Sequence, residues 1–312
     1  MGLFKRKKKP SKNAYVLEYS GLTRHNRFAP YVMVGPAMVF LLLFVFCPMA
    51  NMVRLSFFDY NLVSDPTFIG LKNYRVLFFV KDDFINALKN TGIYTCGVVV
   101  FLISFAVLFA LWLEPDSFIN RLLQKSMFTP HLVAMLSCAY IWAWIFDQDS
   151  GLLNAALAFL NLPMLRWLND SRLAIWCIVI VSVWKSLGYY LIIMISSLRS
   201  IPKEIFEAAQ LDNTPPLRKF FKITLPLISP QLFLLLITIT ISSFKVFDAV
   251  SVMTDGGPGN ATDTIVTYIY RYAFHMNMKV GYASAAGTIL MIILMIATLI
   301  YFKMIGDRVY YQ

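Results

Sequence analysis

Charge is what this sequence has least of. Asp, Glu, Lys and Arg make up 14% of its 312 residues and hydrophobic residues 58%, where soluble domains average about 25% and about 45–50%. So little charge cannot cover a water-facing surface, which excludes an ordinary soluble domain and leaves a polytopic membrane protein. Histidine occurs three times, and neither HExxH nor GxSxG is present, so a membrane-embedded metalloenzyme or serine hydrolase has no anchor. The four cysteines, Cys47, Cys96, Cys138 and Cys177, fall in four separate apolar runs with no CxxC spacing. That excludes a zinc site and a disulfide framework and leaves small packing residues in lipid. No G-x-x-x-x-G-K-[ST] occurs, so the chain has no phosphate-cradling loop with which to hydrolyse ATP. Acidic residues are missing from the apolar runs except for Asp248, and the two halves do not repeat. Both absences count against the alternative reading, an ion-coupled secondary transporter.

What charge there is sits unevenly. The net charge is +11, much of it in KRKKK at Lys5–Lys9 with Lys12, Arg24 and Arg27 following. With no basic and aromatic platform beside it, this tail does not suit nucleic acid. A basic tail before an apolar run is a cytoplasmic topology signal beside anionic lipid. The run from Ala29 is too long for a cleaved signal sequence and no A-x-A site follows, so it reads as a retained first span.

Crossing a bilayer takes about 20 apolar residues, and the sequence offers six such runs. They lie at about 30–53, 90–113, 126–146, 173–198, 230–252 and 280–302, after a basic tail at 1–29. The expected fold is all-α, with six transmembrane helices filling 30–312. With the N-terminus inside, the tail and the alternate loops give seventeen Lys and Arg to the cytoplasm. Eight remain outside, among them Lys72, Lys81, Lys89 and Lys279, with Arg172 at the border. The positive-inside rule therefore predicts N-in, C-in.

This places the stretch IPKEIFEAAQLDNTPPLRKFFKITLPLISP, Ile201–Pro230, in the cytoplasm between spans four and five. Pro202 opens a short helix with Glu204 and Glu207 near its positive end. Ile205, Ala208, Ala209 and Asp212 share one face by the 3.6-residue period, and Asn213, at ease in the left-handed region, ends it. Pro215 and Pro216 start a second helix with Leu217, Phe220, Phe221 and Thr224 on its apolar side, and Pro226 and Pro230 stop it. From the residues alone, such a helix-turn-helix suits a lipid surface or a protein partner equally.

EAAQLDN at Glu207–Asn213 followed by FFKITLPLISP resembles the EAA loop of binding-protein-dependent ABC importer permeases. VWKSLGYY, LRSIPKEIFEAA, MTDGGPGNAT, YIYRYAF and GYASA look like the sugar-importer branch that includes the maltose and glycerol-phosphate permeases. The likeness runs from about Pro30 onward. It implies a multi-pass permease in the bacterial cytoplasmic membrane that moves a sugar or related carbohydrate. Its implied partners are a second homologous permease, two cytoplasmic ABC ATPase subunits and an extracytoplasmic sugar-binding protein. MgATP would sit on the ATPase, with no cofactor or metal on this chain and no catalytic residue in it. Glu207, Ala208, Ala209, Asp212 and Asn213 would form the coupling helix and its turn, closed by Leu225 and Pro226. The sequence departs from the pattern at Asn213, where the family usually has Gly.

Polar groups deep in lipid normally face a cavity or a partner helix. Ser182, Lys185, Ser186 and Tyr189 share one face of span four, and Thr240, Ser242 and Ser243 lie at mid-depth in span five, with Lys245 and Asp248 a turn further on. Hydroxyls and aromatic rings suit a sugar, which makes Ser182, Lys185, Ser186, Tyr189, Ser242 and Ser243 the candidate substrate pathway. The same hydroxyls also suit ordinary bonds between helices, and Lys245 with Asp248 suits an i,i+3 pair.

Overall fold

The computed structural model describes residues 29–276 and 278–304, and they are overwhelmingly helical. The basic tail read at 1–29 lies outside the described residues save for Ala29, as does Arg308. The chain divides after Arg54 into two compact units. The first is one apolar helix formed by α1 (Ala29–Leu41), a π-helical turn (Leu42–Phe46) and α2 (Cys47–Leu55). The widened turn sits just ahead of Pro48. A proline ring in a regular helix collides with the carbonyl four residues back, and a wider turn relieves that contact.

The second unit begins with a small antiparallel pair, β1 (Phe58–Asp59) and β2 (Thr67–Phe68), then α3 (Lys72–Phe79). Next comes α4 (Asp82–Leu113), a single helix of 32 residues with Asp82 and Asp83 in its first turn. Span two, read from about residue 90, thus begins at Asp82. Nothing between Lys89 and Asn90 breaks a helix, and an isolated glycine such as Gly92 is tolerated.

Span three is bent. α5 (Phe118–Leu132) and α6 (Met135–Ile145) meet at 99°. Pro130 lies in the last turn of α5, and Val133 and Ala134 are extended. α5 also starts ahead of the apolar run read from about residue 126, its N-cap being Ser117, whose side chain accepts from the Asn120 N–H at 3.1 Å. After α7 (Leu152–Phe159) comes α8 (Ala174–Arg199).

The loop at 201–230 forms α9 (Lys203–Leu211), α10 (Pro216–Lys219), a π-helical turn (Phe220–Thr224) and α11 (Leu225–Leu227). Here too the wide turn precedes a proline, Pro226. α12 (Ser229–Phe244) leaves at 69° to this run. Span five then breaks at Lys245–Phe247 before α13 (Asp248–Met253). Asp248 opens α13, where the helix dipole favours a carboxylate. The chain continues through α14 (Ile265–Tyr270), a third π-helical turn (Arg271–His275) and α15 (Val280–Met304).

Among the described residues, four helices are long and apolar enough to cross a membrane: Tyr31–Leu55, Asp82–Leu113, Ala174–Arg199 and Val280–Lys303. The two bent pairs raise the number to six if each is one span. Within the second unit, α4 and α8 form the central pair, with α5 against α8 and α12 against α4. Gly97 allows the close approach, since a Cβ there would lie 3.1 Å from the Trp176 ring and 3.3 Å from Val179. The buried core gathers Leu102, Ala106, Ile178, Val181, Leu191, Met194 and Ile239.

The loop after α13 is tied to α4 by polar groups. Asn90 Nδ2 donates to the carbonyls of Asn260 at 2.9 Å and Asp263 at 3.1 Å, Asn86 Nδ2 donates to Asn260 at 2.7 Å, and Thr91 Oγ1 accepts the Ile265 N–H at 2.9 Å. Asp255, Gly256, Gly259 and Asn260 all adopt positive φ, which Gly, Asn and Asp sustain at least cost. Asp263 is buried and pairs with Arg271 at 3.0 Å. Burial raises its carboxyl above the usual range, opposed by the Thr267 hydroxyl and Arg271.

Candidate functional site

The polar residues of spans four and five do not all face one place. A cavity of about 210 Å³ opens between α4, α6, α8 and the α12–α13 break. Ser182, Ser186, Ser242 and Ser243 line it, together with Lys245 and Asp248. Tyr94 OH donates to Ser182 Oγ at 2.8 Å, so one wall is already a bonded hydroxyl pair. Tyr94 and Tyr190 also line the cavity, and neither was among the candidate pathway residues, although Tyr190 ends the VWKSLGYY stretch. Tyr94 sits in an unbroken apolar run where only the neighbouring buried polar residues Asn90, Thr91 and Thr95, spaced at one and four, hint at a polar face.

Lys185 and Tyr189 go elsewhere. Lys185 Nζ donates to the His131 carbonyl at 3.3 Å, one of the acceptors left open where α5 ends. The Tyr189 ring stacks on His131 with centroids 4.7 Å apart and planes 13° from parallel. These two side chains therefore brace the elbow of span three, whereas Ser182 and Ser186, one turn apart, face the cavity. The α8 stripe is wide enough to serve two neighbours.

The 201–230 loop divides in a similar way. Ala209 and Ile201 are buried and Ile205 and Phe206 are half-buried on the core, while Glu207, Ala208 and Asp212 are exposed. The two alanines, read on one face, thus point apart: Ala209 seats the helix and Ala208 remains outside. Leu211 and Leu217 are 84% and 74% exposed. The helix ends in a Schellman motif around Asn213, whose φ is +46°. The Thr214 N–H reaches the Ala209 carbonyl at 3.0 Å and the Asn213 N–H the Gln210 carbonyl at 3.0 Å, so asparagine makes the left-handed turn that glycine makes most easily.

The second helix is less regular than its pattern. The π-helical turn breaks the 3.6-residue register, so Thr224 is buried and Phe220 half-buried on the core, while Leu217 and Phe221 point outward. Leu225 packs against the core and Pro226 is half-buried, so both belong to the root of the loop rather than its exposed face. Lys219 Nζ lies 4.5 Å from the centre of the Phe206 ring and joins the two short helices.

A bundle of long apolar helices enclosing a hydroxyl-lined cavity, with a short-helix loop between the fourth and fifth apolar runs, is the construction of a membrane permease. The chain belongs to the family of binding-protein-dependent transport system inner membrane components, whose model matches residues 103–310. It is 34% identical over 90% of its length to 97% of the probable ABC transporter permease protein YurN of Bacillus subtilis. It is 30% identical over 92% of its length to 97% of the sn-glycerol-3-phosphate transport system permease protein UgpA of Shigella flexneri. In fold it resembles a chain of a bacterial alginate ABC transporter solved in complex with an alginate pentasaccharide-bound periplasmic protein. That match has a TM-score of 0.77 at 22% identity and covers 94% of this chain and 97% of that one.

Proposed function

We propose that this permease is one half of the pore of an ATP-driven importer that carries a sugar or related carbohydrate inward. One observation carries the carbohydrate reading: the cavity between α4, α6, α8 and the α12–α13 break is lined by four serines, two tyrosines, Lys245 and Asp248. Hydroxyls that both donate and accept, set beside aromatic rings, match the alternating polar and apolar faces of a sugar. The names of related proteins point the same way, since UgpA belongs to a glycerol-phosphate system and SmoG of Agrobacterium fabrum to a sulfoquinovosyl glycerol system.

The energy comes from outside the chain. With no phosphate-cradling loop of its own, it is driven by two ATPase subunits that bind MgATP and dock on α9. Glu207, Ala208 and Asp212 form the contact, and Ala209 with Leu225 and Pro226 transmits it to the core. The N-in, C-in arrangement puts this face in the cytoplasm. A second, homologous permease completes the pore, and an extracytoplasmic sugar-binding protein delivers the substrate. Closure of the ATPase pair biases a two-state equilibrium of the spans, which is coupling between distant sites.

Glu207→Ala and Ala208→Trp test the docking face in the assembled transporter. Both side chains are exposed, so membrane insertion is expected to persist while substrate-stimulated ATP hydrolysis is lost. Normal stimulation in both variants would rule out α9 as the contact. Uptake that survives an uncoupler but stops when the ATPase is inactivated separates this importer from an ion-driven transporter.

A further inference from the structure

Away from the central cavity, three lysines from three elements converge on a second pocket of about 170 Å³. Lys72 comes from the start of α3, Lys81 from the turn before α4 and Lys279 from the turn before α15. Tyr272 and Tyr282 line it beside them, and Asp59 is the one acidic side chain in the lining. Lys81 Nζ donates to Tyr272 OH at 3.1 Å and lies 5.1 Å from the centre of that ring. This bond, the largest influence on the amine, raises its pKa, so Lys81 is charged at neutral pH. The ion pairs Arg121–Asp116 and Arg271–Asp263 do not involve these lysines, and Asp83 acts on Lys81 only through space, adding to the upward shift.

An anion held among three lysine side chains that line one small cavity is attracted by each of them. The surroundings say where the anion comes from. Beside each lysine in sequence stands a large apolar side chain in the open: Leu71 at 67% exposure, Val80 at 67% and Met278 at 46%. Apolar side chains next to lysine ammonium groups suit the boundary between acyl chains and headgroups.

We propose that Lys72, Lys81 and Lys279 form a site for the phosphate of an anionic phospholipid headgroup, which pins α3, α4 and α15 at that depth. Under the N-in reading the site lies in the outer leaflet. It is independent of the substrate and of ATPase docking.

The test uses the full-length chain, delipidated in detergent, with retention of added phosphatidylglycerol read by native mass spectrometry. The K72Q/K81Q/K279Q variant is compared with wild type and with K89Q, a lysine on the same expected side outside the pocket. Each lysine near an anionic surface is worth about a fivefold change in binding, so the triple variant is expected to lose at least about tenfold while K89Q stays at the wild-type level. Equal retention in all three proteins overturns the proposal, and so does an equal loss in K89Q. Phosphatidylcholine and inorganic phosphate are separate arms. Preference for inorganic phosphate over the lipid overturns the lipid source, and retention of phosphatidylcholine equal to that of phosphatidylglycerol overturns recognition of net charge. Thermal unfolding of K72Q/K279Q, which keeps the Lys81–Tyr272 bond, guards against a folding defect, and that variant should still lose about tenfold or more. Detergent binding is blind to sidedness and to transport, so failure here leaves the permease reading intact.

Discussion

Gly188 has no room for a methyl group. A Cβ built there would stand 2.0 Å from the Met127 carbonyl oxygen on α5, so the α5–α8 crossing depends on a bare backbone at this point. Overpacking a tight core costs about 1–3 kcal/mol, and backbone on both sides leaves little room to adjust. Gly188→Ala is therefore expected to lower the thermal unfolding temperature of the purified protein by several degrees. Gly92→Ala, with open space around it, should leave that temperature unchanged or raise it slightly, since alanine favours a helix. Asn213 poses the opposite question, of conformation rather than space. Its positive φ suits Gly or Asn, whereas a β-branched residue there costs about 1–2 kcal/mol. Asn213→Gly should keep substrate-stimulated ATP hydrolysis in the assembled transporter and Asn213→Val should reduce it. Equal coupling in both variants would separate the turn from the coupling.

At the scale of elements, one side chain organises the segment between α6 and α8. Asn154 is buried, with Nδ2 donating to the carbonyls of Gln148 and Leu165 at 2.8 and 2.9 Å. Its Oδ1 accepts the Leu165 N–H at 3.1 Å and the Trp167 Nε1–H at 3.0 Å. Asn154→Leu strands these partners, and each buried unsatisfied group costs about 1–3 kcal/mol. Limited proteolysis is expected to cut the 148–167 segment faster in this variant, with the long helices still protected; an unchanged cleavage rate would show that the segment holds without the asparagine. The asparagine was invisible as an organiser in the sequence, because its four partners lie six to thirteen residues away in an irregular stretch. The long helices were legible for the opposite reason. Apolar length and charge at the ends are local properties, so α8 and α15 could be read within a residue or two. The elbow in span three was less so, since Pro130 marks a weak point without saying how far the chain will turn.

For the molecule as a whole, sidedness is the main prediction. If the termini are inside, a cysteine at position 203 on the loop is labelled by an impermeant thiol reagent only from the cytoplasm. A cysteine at position 72, at the start of α3, is labelled only from outside. Labelling of both from one side would overturn the six-span N-in arrangement. The experiment is best done with the four native cysteines replaced, since Cys47 and Cys96 are exposed.

The sequence by itself determined the solvent in which this protein folds, the approximate places of its helices and the charged, turn-rich character of the loop at 201–230. Each rests on composition or periodicity, which need no knowledge of neighbours. The family resemblance was legible in the same short stretches. Tertiary structure alone decided which side of each helix meets what. Ser182, Lys185, Ser186 and Tyr189 share a stripe in α8 by spacing, yet the serines face the cavity and Lys185 with Tyr189 face the α5 elbow. Ala208 and Ala209 stand side by side and point apart for the same reason. Lys72, Lys81 and Lys279, up to 207 residues apart in number, meet only because α3, α4 and α15 pack together. A helical period fixes directions relative to its own axis, and only packing assigns those directions to neighbours.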